Sequence, residues 1–141
     1  MERSMPEQKR MTPSEAFVET LVAHGVNNIF GIAGSAYMDA MDLFPLAGIR
    51  LVSVAHEQNA AHMADGYSRV TDRHGVCIAQ NGPGVTNFVT AIAAAYWAHS
   101  PVVAITPEAG SSTAGLGGFQ ETEQLPIFSK ITKYQVHVNA P

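Results

Sequence analysis

Cysteine is nearly absent from this chain. The single residue, Cys77, excludes an intrachain disulfide framework and any Cys-rich zinc site. Charge is also sparse. Charged residues make up 14% of the 141 positions, and eight Lys+Arg against twelve Asp+Glu leave a formal net charge of −4. A mildly acidic chain without a basic cluster is a poor candidate for nucleic acid or an anionic membrane. No apolar run is long enough to span a bilayer, and the first ten residues, MERSMPEQKR, lack the apolar stretch of a secretory signal. The default expectation is therefore a soluble cytoplasmic protein. What is plentiful is apolar residues, at 46%, together with twelve Gly and eight Pro. That mix predicts a folded core of one domain's size, with many turns between short elements.

Residues 1–11 are polar and patternless and read as a flexible leader; order is expected over 12–141. Thr12-Pro13-Ser14-Glu15 reads as a capping box, with Thr12 at N-cap, Pro13 at N1 and Glu15 at N3. Phe17, Val18, Leu21 and Val22 continue it as an apolar helical stripe, and Gly25 is a plausible stop. Short apolar strands are expected over 28–32, 50–55, 76–79, 102–106 and 134–138. Helices are expected over 36–44, 57–70 and 86–99, with a Gly/Ser/Thr loop over 109–118 and a short helical piece near 121–128. Alternating strands and helices predict an α/β fold, a parallel sheet with helices on both faces. Ligands of such sheets bind outside the carboxyl ends of the strands. Chemistry is therefore sought in the turns at 31–35, 56–57, 80–84 and 106–108. From Phe88 to Ala98 only Thr90 is polar, and Ala60, Ala61 and Ala64 line the preceding helix. Both features predict a covering partner, with a tightly packed core as the simpler alternative. The chain stops at Pro141 just after an expected strand, as a domain truncated at its C-terminus would.

His56-Glu57 resembles the start of a zinc motif, but H-E-x-x-H needs a second His where Ala60 stands. His62 follows six residues after His56, about 240° round a helix, and cannot face the same metal. No metal site is expected from this chain alone. The turn Gly82-Pro83-Gly84 spoils a dinucleotide fingerprint, and in isolation reads as a tight strand-to-helix connection. No Walker A sequence and no Gly-x-Ser-x-Gly elbow occur. Glu57 closes an apolar strand and opens a helix. Taken alone, it is a carboxylate at a positive helix terminus, worth about 0.3–1 kcal/mol. It also falls at the carboxyl edge of a parallel sheet between Gly-rich turns, where partial burial suits a carboxyl to proton transfer.

Four segments in order carry a resemblance. They are Phe30-Gly-Ile-Ala-Gly-Ser35, His56-Glu-Gln-Asn-Ala-Ala-His-Met-Ala-Asp-Gly-Tyr-Ser-Arg69, Asn81-Gly-Pro-Gly-Val-Thr-Asn87 and Gly118-Phe-Gln-Glu121. Together they resemble the N-terminal pyrimidine-binding domain of thiamine-diphosphate enzymes of the acetolactate synthase/decarboxylase group. Within that group, Ala79-Gln-Asn-Gly-Pro-Gly84, Ala95-Tyr-Trp-Ala-His-Ser-Pro101 and Gly117-Gly-Phe-Gln-Glu-Thr-Glu-Gln124 look most like the sulfoacetaldehyde acetyltransferase subfamily. Its members convert sulfoacetaldehyde and phosphate to sulfite and acetyl phosphate.

The resemblance implies site residues. Glu57 takes the cofactor-activating role, hydrogen-bonding N1′ of the aminopyrimidine of thiamine diphosphate. Pro83 and Asn87 border that ring, and Gln120 reaches toward it from the Gly-rich loop. Gln80 falls where related decarboxylases carry a catalytic His; glutamine cannot titrate and instead orients by hydrogen bonds. That substitution favours the acetyltransferase over an acetolactate-synthase-like carboligase or a 2-oxo acid decarboxylase. Ser35 matches a substrate-side serine, with a turn serine capping the next helix as the equal alternative. The family binds the diphosphate and Mg2+ through a separate domain with a Gly-Asp-Gly…Asn motif. That motif is absent from these 141 residues, since Asp65-Gly66 follows Ala64 inside a helix. The resemblance thus implies a half-site completed by the diphosphate domain of a second subunit, in a homodimer or homotetramer, and no turnover by this chain alone. A non-catalytic assembly or regulatory domain is the alternative of another class.

Overall fold

A computed structural model describes residues 10–110 and 112–138; all but the last two residues of the expected leader lie outside them. Four strands, β1 (Asn28–Gly31), β2 (Arg50–Ser53), β3 (Gly75–Ile78) and β4 (Val102–Ile105), form one parallel sheet in the order β2-β1-β3-β4. Between them run α1 (Pro13–Ala23), a 3-10 turn (Ser35–Tyr37) leading into α2 (Met38–Leu43), α3 (Glu57–Thr71), α4 (Pro83–Thr86) and α5 (Val89–Trp97); α6 (Gln124–Phe128) follows the last strand. No helix of the described residues is long and apolar enough to cross a membrane.

Alternation along the strands divides the core in two. Ile29, Val76 and Ile78 pack with Val18 and Leu21 of α1 and with Tyr37, Ala40 and Phe44. Phe30, Cys77 and Ala79 pack with Ala60, Ala61 and Ala64 of α3 and with Val85, Phe88, Ala91 and Ile92. Helices therefore cover both faces, as the strand–helix alternation predicts. Ile29, Ile78, Val76 and Phe88 are completely or almost completely buried, each stabilising the fold by about 1.5–3 kcal/mol. The capping box of α1 forms as read: Thr12 N–H donates to Glu15 Oε2 at 2.7 Å, and Glu15 N–H donates to Thr12 Oγ1 at 3.2 Å.

Three expectations are corrected. The helix expected over 86–99 is two helices. Phe88 N–H donates to Val85 O, an i−3 bond, and the α-helical ladder restarts from Phe88 O to Ile92 N–H. The pause falls where the Asn87 side chain is engaged with another element, as described below. The strand expected over 134–138 does not form. β4 is the sheet's edge, and Val136 and Val138 are 59% and 77% exposed, so neither a ladder nor a packed face holds this apolar run extended. The small residues of α3 are consumed within the chain. Ala60, Ala61 and Ala64 are fully buried, and a Cβ on Gly75 of β3 would stand 2.0 Å from the Ala64 carbonyl oxygen. They allow α3 to lie tight on the sheet, as the packed-core alternative requires. On α5, Trp97 is 75% exposed.

Tyr37 locks the two sides of the sheet's carboxyl edge. Its buried hydroxyl donates to the Ala79 carbonyl after β3 and lies 3.0 Å from the Ile105 carbonyl of β4. Burial holds its phenol protonated far above the ordinary range. Tyr37→Phe leaves those carbonyls without their donor at unchanged shape, which costs about 1–3 kcal/mol. A urea unfolding midpoint lowered at unchanged slope is the expected result; an unmoved midpoint contradicts the role assigned to the hydroxyl.

Candidate active site

Strand order places the site. The chain runs from β1 outward to β2, then returns past β1 to β3. The connections leaving β1 and β3 therefore part at their carboxyl ends, opening a crevice between the two strands. The turn at 32–35 and the turn at 80–84 flank that crevice, and Glu57 opens α3 beside it.

Glu57 is half-buried at the first position of α3. Its Oε2 accepts a hydrogen bond of 2.9 Å from Asn87 Nδ2. Its Oε1 forms no hydrogen bond among the described residues and faces Gly84, on which a Cβ would stand 3.3 Å away. The same Cβ would stand 3.6 Å from the Cβ atoms of Ala79 and Gln80. A glycine thus floors the gap between the carboxyl group and Gln80. Gly82 supplies the turn itself, at φ 66° and ψ −117°, and Pro83 follows as the exposed first residue of α4.

Gln80 bridges the crevice. Its Oε1 accepts from the Ala36 N–H at 3.4 Å, and its Nε2 donates to Asn81 Oδ1 at 2.6 Å. A Cβ on Gly34 would stand 2.2 Å from Gln80 Oε1, so only glycine leaves room for this amide. Gln120 meets the site through its backbone. At φ 59° its carbonyl oxygen lies where a Cβ on Gly82 would approach to 2.2 Å. Ser35 is exposed at the same edge as first residue of the 3-10 turn. The N-cap there is Gly34, which has no side-chain cap bond, so the capping alternative for Ser35 is not what the structure shows. Glu57, Gln80, Pro83, Asn87 and Gln120 gather around Gly82 and Gly84, with Ser35 beside Ala36.

Three contributors escaped sequence reasoning. Asn81, only 5% exposed, donates through Nδ2 to the carbonyls of Phe119 and Gln120 at 3.3 and 3.2 Å. In sequence it reads merely as a turn residue before glycine. Glu121 accepts from the N–H groups of Gly115 and, at 2.9 Å, Gly118, and these backbone donors hold its carboxyl below the usual range. His56 caps α3, its Nδ1 accepting from the Gln58 N–H at 3.2 Å; histidine is outside the residues that signal an N-cap. Asp65, by contrast, belongs to the core of α3. Arg69 grips it with bonds of 2.8 Å from both Nε and a terminal guanidinium nitrogen, which holds its carboxyl below the usual range.

The donor set fits an aminopyrimidine. A flat heteroaromatic ring needs an open floor and one carboxyl oxygen free to meet a ring nitrogen. Gly84 leaves the floor open and Glu57 Oε1 supplies the oxygen. Asn87 fixes that carboxyl in place by its other oxygen.

Comparison with known proteins shows the family. The profile of the family described as "Thiamine pyrophosphate enzyme, N-terminal TPP binding domain" matches residues 11–127. Sulfoacetaldehyde acetyltransferases of Alcaligenes xylosoxydans xylosoxydans and Castellaniella defragrans are 70% and 68% identical over 132 and 133 residues, 94% of this chain and 22% of each relative. The acetolactate synthase large subunit of Corynebacterium glutamicum is 43% identical over 134 residues, 94% of this chain and 21% of that protein. The chain spans about a fifth of the length of these curated relatives. With a profile match over residues 11–127, most of its length, the chain belongs to the thiamine pyrophosphate enzymes as their N-terminal TPP-binding domain.

Proposed function

We propose that this chain is the N-terminal part of an acyltransferase that uses thiamine diphosphate to convert sulfoacetaldehyde and phosphate to acetyl phosphate and sulfite, a step in taurine and sulfonate breakdown. The observation that carries the reading is the Glu57–Asn87 pair above Gly84, with Gln80 on the same floor. Relatives named for this activity at 70% and 68% identity support the choice of substrate. So does Gln80, a side chain that orients without titrating.

The chain's own residues have separable tasks. Asn87 donates to Glu57 Oε2, which leaves Oε1 as the carboxyl oxygen without a hydrogen bond among the described residues. That oxygen faces Gly84, and it is where Glu57 would meet a ring nitrogen of the aminopyrimidine and hold or give up a proton. Pro83 and the backbone of Gln120 would border the ring, and Gln80 would hold the substrate side by hydrogen bonds. When bound, thiamine diphosphate supplies the carbon nucleophile for the aldehyde carbonyl.

The wider reading follows from the same half-site. The diphosphate and Mg2+ fall to another domain, contributed by a second subunit of a homodimer or homotetramer, and this chain alone does not turn over. The exposed Trp97 on α5 supports such an interface. Full-length protein given sulfoacetaldehyde, thiamine diphosphate and Mg2+ is expected to release sulfite only when phosphate is present. Carbon dioxide release from pyruvate without sulfite would replace this reading with a carboligase or 2-oxo acid decarboxylase. Inertness toward both would leave an assembly domain.

A further inference from the structure

Gln80 and Asn81 form one chain of amides whose polarity is settled at both ends. At one end stand the carbonyls of Phe119 and Gln120, which can only accept; they require the nitrogen of the Asn81 amide. Asn81 must then present its oxygen to Gln80, which must answer with Nε2. That turns Gln80 Oε1 toward the Ala36 N–H, a group that can only donate. Neither amide can flip without placing like against like at a backbone group. Asn81 is only 5% exposed, so solvent cannot cheaply replace a lost partner. Gly34 and Gly82 close the arrangement sterically. A Cβ on either would stand 2.2 Å from Gln80 Oε1 or from the Gln120 carbonyl oxygen, respectively.

We propose that Asn81 is a positioning residue. It sets the orientation of the Gln80 amide and pins the Phe119–Gln120 backbone across the crevice, so that the substrate-side donor and the loop that borders the cofactor move as one unit. The inference rests on the proposed role of Gln80 and names a residue that acts only through others. The second Nε2 hydrogen and second Oε1 lone pair of Gln80 stay uncommitted in this network, so the one amide offers a donor and an acceptor in fixed places. An anionic or carbonyl oxygen meets the donor; a hydroxyl meets either.

The test is a double-mutant cycle in the full-length enzyme, with hydrogen exchange as a readout independent of turnover. In the cofactor-free protein, Asn81→Ala should speed amide exchange in the peptide covering 115–121 and leave α3 unchanged. In the loaded enzyme, Asn81→Ala should lower kcat/KM by about 10–100-fold with Gln80 present. In a Gln80→Ala background the same change should cost less than about threefold, because residues in one network do not add. Equal losses in both backgrounds, or unaltered exchange over 115–121, would overturn the proposal. Should Asn81→Ala fail to fold, Asn81→Ser, which keeps one donor but cannot span Gln80 and two carbonyls, is read through the same cycle with the same outcomes. Glu57→Gln run alongside separates the two levels. An active Glu57→Gln enzyme rejects the cofactor reading itself, whereas an inactive one with additive Asn81 and Gln80 effects rejects only the positioning role.

Discussion

Glu57→Gln in the full-length protein is expected to lower turnover by about 10²–10⁴-fold, the range for lost acid–base catalysis. The substitution is nearly isosteric. A glutamine carbonyl can still accept the 2.9 Å bond from Asn87, so the helix start and the crevice keep their shape. What is lost, on the role proposed for Glu57, is a carboxyl group able to exchange a proton at the oxygen facing Gly84. The melting temperature should therefore barely move while the rate collapses. Asn87→Ala provides the graded counterpart, since it frees the carboxyl without removing it and belongs between wild type and Glu57→Gln. Steady-state turnover with saturating cofactor, beside a thermal melt, is the measurement. A Glu57→Gln enzyme at near-normal rate would show that this carboxyl takes no part in activation.

Gly75→Ala is expected to be the most damaging single methyl group in the fold. A Cβ there would stand 2.0 Å from the Ala64 carbonyl oxygen, 2.5 Å from its carbonyl carbon and 2.8 Å from its Cα. No side chain can swing away, because all three atoms belong to the backbone of α3. Either β3 or α3 has to shift, in a region where Ala60, Ala61, Ala64, Val76 and Cys77 are at most 2% exposed. Overpacking of this kind costs about 1–3 kcal/mol and sometimes more; rigid backbone on both sides argues for the upper end. The effect reaches function as well, since α3 carries Glu57 at its first position. Denaturant unfolding should show a large loss, accompanied by weaker cofactor binding. A midpoint within error of wild type would mean that helix and strand sit less tightly than described.

Much of the architecture was legible because it is written in local chemistry. Thr12, Pro13 and Glu15 announce a helix start through groups three residues apart, and the box forms as read. Brief apolar runs separated by helical patterns announced β1 to β4, within a residue or two at most of their ends. Glu57, Gln80, Pro83, Asn87 and Gln120 were singled out through motif segments, and the fold brings them together around two glycines. The failures share a cause. Residues 134–138 have a strand's composition, but a strand needs a neighbour to pair with. The helix from 86 is interrupted where Asn87 turns to serve a carboxylate thirty residues away. Asn81 looked like turn punctuation, yet its partners lie in Phe119 and Gln120.

By itself the sequence determined most of the segments that fold as helix or strand, that the sheet is parallel, and which acidic side chain stands at its rim. Those properties follow from periodicity, capping and motif spacing, all of which act between near neighbours in the chain. Only the tertiary structure decided which oxygen of Glu57 is free and which way the Gln80 amide points. It alone decided that the small residues of α3 seat the helix on its own sheet. Those outcomes depend on atoms brought together across tens of residues, where a hydrogen bond or a missing Cβ has no trace in the local sequence.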